Sequence, residues 1–304
     1  MIFNSPIPNQ DLQLPLLQEK GITVSVKRLD LVHQEVSGNK FFKLKYNLAA
    51  AKSEGSTKIL TFGGAYSNHI AATAAAAKAV GLEAVGVIRG EPTFPLNHTL
   101  AFAKDCGMEF FYLDRSRYRD KNSPEVLNLL KEKFGSCYFI PEGGTNALAI
   151  EGTKEILTPE DSHYTDVFVP IGTGGTFLGL AAGLLEDQKL TGVSALKGDF
   201  IHQEMANKIR EFRIKIKGTF HISDKYHFGG YAKSTPTLIS FIKDFHATTQ
   251  IPLDPVYTGK MMFAIFDLVE KNVFEPGAKI LAIHTGGLQG IIGFNQAFGT
   301  DLSQ

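Results

Sequence analysis

The 304-residue chain has no tryptophan, only two cysteines (Cys106 and Cys137), and as many Lys+Arg as Asp+Glu, 31 of each. Two cysteines build neither a disulfide framework nor a four-cysteine zinc site, which points to a reducing cytoplasm and leaves both thiols expected buried and inert. Zero net charge removes the bulk positive field of a nucleic-acid binder, so no nucleic-acid partner is expected. None of the nine histidines has a compact ligand spacing, so no metal is expected. The alanine-rich run 70–80 is too short and too close to charges to span a bilayer, and the opening residues lack a basic segment followed by an apolar one, so neither a membrane partner nor a secretory signal is expected.

What is present is an ordinary globular composition, 43% hydrophobic and 20% charged, at a length suited to about two domains. A rhythm recurs: a short apolar run, a glycine turn, then a helical pattern. Strands are expected at 58–62, 83–88, 109–113, 137–140, 166–171, 193–196 and 279–284. Helices are expected at 71–80, 96–106, 124–134, 148–157 and 177–186. Strands alternating with helices of this length imply βαβ crossovers and mostly parallel sheets, an α/β fold with two sheets. The stretch 220–235 reads as irregular, and ligands in such folds sit beyond the carboxyl ends of the strands, where the glycine turns fall.

Five segments could carry chemistry. In Ile171-Gly-Thr-Gly-Gly-Thr-Phe-Leu-Gly179, between a strand and a helix, Gly172, Thr173, Gly174, Gly175 and Thr176 can turn backbone N–H groups onto an anion at a helix N-terminus. No Gly-Lys-Ser/Thr follows, and Phe177 takes the place of the third glycine of a dinucleotide fingerprint, so a small phosphate is favoured over a nucleotide or a bare turn. In Ser37-Gly-Asn-Lys-Phe-Phe-Lys-Leu44, a desolvated Lys40 would have the lowered pKa that Schiff-base chemistry needs, although taken alone Lys40, Lys43 and Lys45 read more readily as solvated charges. In Phe62-Gly-Gly-Ala-Tyr-Ser-Asn-His69, Ser67 and Asn68 suit a helix N-cap, and His69 suits a core position. Leu253–Lys260 and Ile283–Gly287 say little alone.

Taken in order, Ser-Gly-Asn-Lys (37–40), Gly-Gly-x-x-Ser-Asn-His (63–69), Pro-Glu-Gly-Gly-Thr-Asn (141–146), Gly-Thr-Gly-Gly-Thr (172–176), Asp-Pro-Val-Tyr-Thr-Gly-Lys (254–260) and His-Thr-Gly-Gly (284–287) resemble the pyridoxal-phosphate enzymes of the 1-aminocyclopropane-1-carboxylate deaminase and D-cysteine desulfhydrase family. That family has the tryptophan synthase β-like fold. The resemblance implies two three-layer parallel-sheet domains: a large one of residues 1–43 plus 152–304, and a small inserted one of 44–151 that closes over substrate. It implies pyridoxal 5'-phosphate as cofactor, with Lys40 as its Schiff-base lysine and α-proton carrier. Asn68 would bind the phenolic oxygen and Gly172–Thr176 the phosphate. Ser67 would meet the substrate carboxylate or assist proton transfer, with Tyr257 and, by a looser match, Tyr231 near the substrate.

Thr258 and Thr285, also expected at the cofactor, choose between reactions. Ring-opening deaminases of the family carry Glu and Leu there, whereas desulfhydrases carry neutral hydroxyls. A hydroxyl at the ring nitrogen gives a milder electron sink, adequate for expelling a good leaving group from the β-carbon. The implied enzyme is a lyase/deaminase that eliminates sulfide from D-cysteine, giving pyruvate and ammonia. 1-Aminocyclopropane-1-carboxylate deamination is the alternative, with a non-catalytic cofactor carrier or a nicotinamide-dependent oxidoreductase further behind. A cytoplasmic homodimer acting on a small amino acid is implied as well. Phe41-Phe42 and Ala65-Tyr66 depart from the family's usual residues and are expected to line or border the site, reshaping it.

Overall fold

The computed structural model describes residues 6–303, so residues 1–5 and 304 of the expected large domain lie outside it. The first part of the chain runs β1 (Asn9–Asp11), α1 (Pro15–Lys20), β2 (Thr23–Arg28), α2 (Asn39–Ser53), β3 (Lys58–Gly64), α3 (Asn68–Val80), β4 (Glu83–Arg89), α4 (His98–Asp105), β5 (Glu109–Leu113), α5 (Arg115–Arg119), α6 (Pro124–Phe134), β6 (Tyr138–Ile140) and α7 (Ala147–Lys154). The second runs β7 (Asp166–Ile171), α8 (Gly175–Gly183), β8 (Lys189–Ser194), α9 (Phe200–Glu211), β9 (Thr219–Ser223), α10 (Pro236–Thr249), α11 (Thr258–Glu270), β10 (Lys279–His284) and α12 (Gly290–Phe298). No helix among the described residues is long and apolar enough to cross a membrane.

The strands form two sheets. One is six-stranded in the order β1-β2-β10-β7-β8-β9, parallel except for β1. The other is four-stranded, β5-β4-β3-β6, and all parallel. It comes from one stretch of chain, 58–140, inserted between strands of the first. α2 and α7 run unbroken past 43/44 and 151/152, so each is continuous across an expected domain limit.

Side chains alternate between faces along a strand, so a sheet covered on both sides must be apolar at every position. In β10, Leu281 and Ile283 enter one core while Ile280 and Ala282 enter another. In the smaller sheet Ile59 faces the first core, and Leu60 and Phe62 pack with Val85, Val87 and Leu130 in a third. These continuous apolar runs made the strands readable. β8 lies four residues ahead of its expected start, because its opening Lys189-Leu-Thr alternates polar and apolar. The stretch expected to be irregular opens with the edge strand β9, whose exposed Thr219, Phe220 and His221 hide the pattern.

Strand order decides where a ligand fits. In the large sheet the order reverses at β7, with β8 on one side and β10 on the other; in the small sheet it reverses at β3, between β4 and β6. Loops leaving adjacent strands in opposite directions at such a point open a crevice at the carboxyl edge. The loops after β7, β10, β3 and β6 carry the segments Gly172–Thr176, Thr285–Gly287, Gly64–Ser67 and Pro141–Thr145.

Candidate active site

Lys40 is the second residue of α2, held beneath the loop that leaves β10. Asn39 N donates to Thr285 O at 3.2 Å, and Gly38, at φ +67°, passes so close that a Cβ there would lie 2.0 Å from the same oxygen. Lys40 Nζ donates to Asn39 Oδ1 at 2.8 Å, and Asn39 Nδ2 donates to Thr176 Oγ1 at 2.8 Å. Burial lowers the Lys40 pKa to about 8, with the Asp254 carboxylate opposing it. An amine poised there is neutral often enough to be a nucleophile at physiological pH.

One helical turn later stands Lys43, on the same face. It is buried, which corrects its reading as a solvated charge. Its ammonium donates to Gly143 O (2.7 Å), Thr145 Oγ1 (3.2 Å) and Thr173 Oγ1 (3.4 Å). Burial first, then Lys40 and Lys208, push its pKa well below the usual lysine value. Lys208 on α9 reaches Thr173 O at 3.1 Å. A Cβ on Gly175, the first residue of α8, would lie 3.0 Å from Lys43 Nζ and 2.8 Å from Thr145 Oγ1. Lys43 and Lys208, the latter also paired with Glu204, thus converge with a helix N-terminus on a glycine-lined loop, and among the described residues Lys43 has no carboxylate partner. This donor set fits a phosphate dianion, which would relieve the mutual repulsion of the lysines.

Ser67 caps α3, its hydroxyl accepting from His69 N (3.2 Å) and Ile70 N (3.3 Å), which leaves its own proton to donate. Asn68 follows, and its Oδ1 accepts a hydrogen bond from Gln289 Nε2, while Gln289 Oε1 accepts from Thr99 Oγ1 at 3.0 Å. The Asn68 Nδ2 donor is therefore turned away from Gln289, against the loop at Gly287. His69 is a core residue. Its Nε2 meets Thr61 Oγ1 at 2.8 Å, and since that hydroxyl donates to Ile140 O, the ring carries its proton on Nε2. Burial, with Lys40 and Lys43 nearby, keeps it neutral.

Asp254 caps α11, accepting from Val256 N, Tyr257 N, Thr258 N and Thr258 Oγ1 at 2.8–2.9 Å. Burial pushes its pKa up, against those hydrogen bonds. Thr258 is fully buried, its proton committed to Asp254. Thr285 is nearly buried, directly above Gly38. Tyr257 packs against Gly172 and edge-on to Tyr231 at 6.1 Å between centroids, so the two tyrosines meet. Burial and Tyr231 raise the Tyr257 pKa, keeping it a neutral donor. Lys260 ties down the loop before Tyr231, donating to His227 O and Gly230 O at 2.8 Å each.

The expected residues are thus gathered from separate loops around one crevice, and Asn39, Lys43, Thr145, Lys208, Asp254 and Gln289 join them without having been assigned a role. Asn39, Thr145 and Asp254 fall inside the quoted motifs and Lys43 stands three residues after Lys40, whereas Lys208 and Gln289 left no signal. Phe41 and Phe42 go into the main core, 1% and 2% exposed. Tyr66 lies against Gly293 of α12. Cys106 and Cys137 are half-buried, not buried, and burial raises both thiol pKa values, which keeps them protonated.

Comparison with known proteins shows the family. The family described as pyridoxal-phosphate dependent enzyme matches residues 2–286. A Pyrococcus horikoshii protein provisionally named 1-aminocyclopropane-1-carboxylate deaminase is 34% identical over 287 residues, 90% of this chain and 87% of its own. An Arabidopsis thaliana protein named bifunctional D-cysteine desulfhydrase/1-aminocyclopropane-1-carboxylate deaminase, mitochondrial, is 30% identical over 94% of this chain and 77% of its own. The crystal structure of an ACC deaminase homologue superposes with a TM-score of 0.83 at 32% identity, covering 96% of this chain and 93% of that one.

Proposed function

The chain belongs to the pyridoxal-phosphate-dependent enzymes and has their tryptophan synthase β-like fold, and on that premise we propose that it eliminates the β-substituent of a small amino acid, with D-cysteine as the type substrate. The observation that carries this reading is the buried Lys40 amine, with its pKa at about 8, beside a cradle of glycines and lysines fit for a phosphate.

When bound, pyridoxal phosphate supplies an electron sink that stabilises negative charge on the amino acid's α-carbon. Lys40 would hold the cofactor through its amine, and that amine would serve as the base that moves the α-proton. Lys43, Lys208 and the N–H groups of Gly172–Thr176 hold the phosphate. Asn68, its carbonyl occupied by Gln289, offers Nδ2 to the phenolic oxygen. Ser67 would donate a hydrogen bond from its hydroxyl to the α-carboxylate. Tyr257, a neutral phenol backed by Tyr231, is suited to donate a hydrogen bond to the departing sulfur. Thr258 and Thr285 place neutral oxygens where a ring-opening enzyme would need an acid, which favours elimination.

A second reading, deamination of 1-aminocyclopropane-1-carboxylate, is supported by the names of the Pyrococcus and Arabidopsis relatives. We further take residues 44–151 as the unit that closes over substrate, and the working form as a cytoplasmic homodimer, both in line with the family resemblance.

The test is sulfide release from D-cysteine with pyruvate measured alongside, on protein whose cofactor linkage is checked by borohydride reduction. Matched sulfide and pyruvate from wild type, with the covalent link lost in Lys40→Ala, are the expected results. Absence of any borohydride-fixed cofactor refutes the reading. Ammonia and 2-oxobutanoate from 1-aminocyclopropane-1-carboxylate, without sulfide from D-cysteine, moves it to the second.

A further inference from the structure

A cleft of about 590 Å³ opens beyond the carboxyl edge of the four-stranded sheet. Its walls come from the residues that follow all four parallel strands: Gly64 and Ala65 after β3, Arg89 at the end of β4, Arg115, Arg119 and Lys121 after β5, and Glu142 after β6. A ligand of amino-acid size fits such a volume.

The charge is one-sided: four cations face one carboxylate. That carboxylate is already engaged. Glu142 accepts from Tyr118 Oη at 2.9 Å and pairs with Lys121 at 3.1 Å. Among the described residues, Arg89, Arg115 and Arg119 have no acidic partner within salt-bridge distance. Arg89 is nevertheless held in place. Its guanidinium lies 5.9 Å above the Tyr118 ring, which is buried edge-on against Phe62. Planar forks positioned in this way recognise carboxylate, phosphate or sulfonate groups.

Both walls continue into the active site. Gly64 and Ala65 lead within three residues to Ser67 and Asn68. Glu142 precedes Gly143, whose carbonyl anchors Lys43, and the Glu142 charge is felt by Tyr257.

We propose that this cleft binds a second, distal anion on the substrate, so that the preferred substrate is an amino acid whose β-substituent ends in a negatively charged group. This rests on the elimination reading and narrows it. D-Cysteine then serves as a minimal substrate, lacking the group that Arg89, Arg115 and Arg119 would hold.

The test compares, on the holoenzyme, S-carboxymethylcysteine with its uncharged isostere S-carbamoylmethylcysteine, each as both enantiomers. Either compound, with one water, gives pyruvate, ammonia and the corresponding thiol, so pyruvate release reads both. Binding is read separately from the change in the cofactor's visible absorption. We expect kcat/KM for the carboxymethyl compound to exceed that for the isostere by about tenfold or more, the worth of one charge-assisted contact. Raised salt should narrow the ratio, and Arg89→Gln with Arg119→Gln should collapse it towards one. Equal values for the two compounds, or a ratio that survives both substitutions, overturns the proposal. Elimination from D-cysteine with no response to either larger compound overturns it too, while leaving the elimination reading intact. A holoenzyme that answers to no amino acid at all takes down both.

Discussion

Replacing Lys43 by methionine tests the cofactor cradle most directly, because chain length is nearly kept and only the charge is lost. The wild-type ammonium is held by Gly143 O, Thr145 Oγ1 and Thr173 Oγ1 at 2.7, 3.2 and 3.4 Å, beside the glycine loop. A hydrogen bond to a charged group contributes about 1.5–3 kcal/mol, so the pyridoxal phosphate dissociation constant should rise about ten- to a hundredfold. The pH dependence has a definite sign. Burial, Lys40 and Lys208 hold the Lys43 pKa well below the usual lysine value, and a phosphate dianion beside it pulls that pKa back up. Above the depressed pKa, cofactor binding therefore takes up a proton at Lys43, and affinity falls as pH rises, by at most about tenfold per unit for this proton. In Lys43→Met that contribution to the slope disappears. Titrating apoprotein with cofactor at several pH values, with absorbance as the readout, measures both quantities. A dissociation constant within about twofold of wild type, or an unchanged slope, would refute the cradle as described.

Three further expectations follow from individual contacts. Gly38→Ala forces a left-handed φ of +67° on alanine and drives its Cβ to 2.0 Å from Thr285 O, whereas Gly55→Ala meets the same φ problem (+70°) in open space. Gly55→Ala should cost about 1–2 kcal/mol in urea unfolding, and Gly38→Ala clearly more, with loss of borohydride-fixed cofactor; equal costs would contradict the close approach above Lys40. Gln289→Leu removes the group that orients Asn68, so the cofactor's absorption maximum should shift and kcat fall by about tenfold with stability nearly unchanged; an unaltered spectrum would remove Gln289 from the site. Lys260 is buried, its pKa lowered from 10.5 to about 8, so between those values the unfolded chain binds more protons than the folded one. Its contribution to stability therefore rises with pH across that window. The stability of wild type relative to Lys260→Met should increase from pH 8 to pH 10, and a flat or falling difference would show that the ammonium is not desolvated.

Local pattern carried much of this protein. Strands buried on both faces must be largely apolar, so β3, β4, β7 and β10 stood out as runs bounded by turns, as did the aromatic edge strand β5. Three glycines and two threonines between a strand and a helix can turn their N–H groups onto an anion, and so Gly172–Thr176 could be read as an anion cradle from sequence. The order of six short motifs then pointed to a family and, through it, to Lys40, Ser67, Asn68 and Tyr257. Contacts between distant segments were not legible in that way. Lys43 and Lys45 are alike as letters, yet one is buried against Gly143, Thr145 and Thr173 while the other pairs with Glu155 at the surface. Gln289 gains its place only because the loop after β10 meets the start of α3, 221 residues away in the chain. Arg89, Arg115 and Arg119 carry no signal in the sequence, and share one cleft only because β4 and β5 end beside β3 and β6. Sequence by itself carried most of the inner strands and the glycine cradle, because each depends on neighbours within a few residues, while Lys40 became the candidate nucleophile only through the family resemblance. Tertiary structure alone decided which charges are desolvated and what they face, because burial and electrostatic partners depend on strand order and not on spacing along the chain.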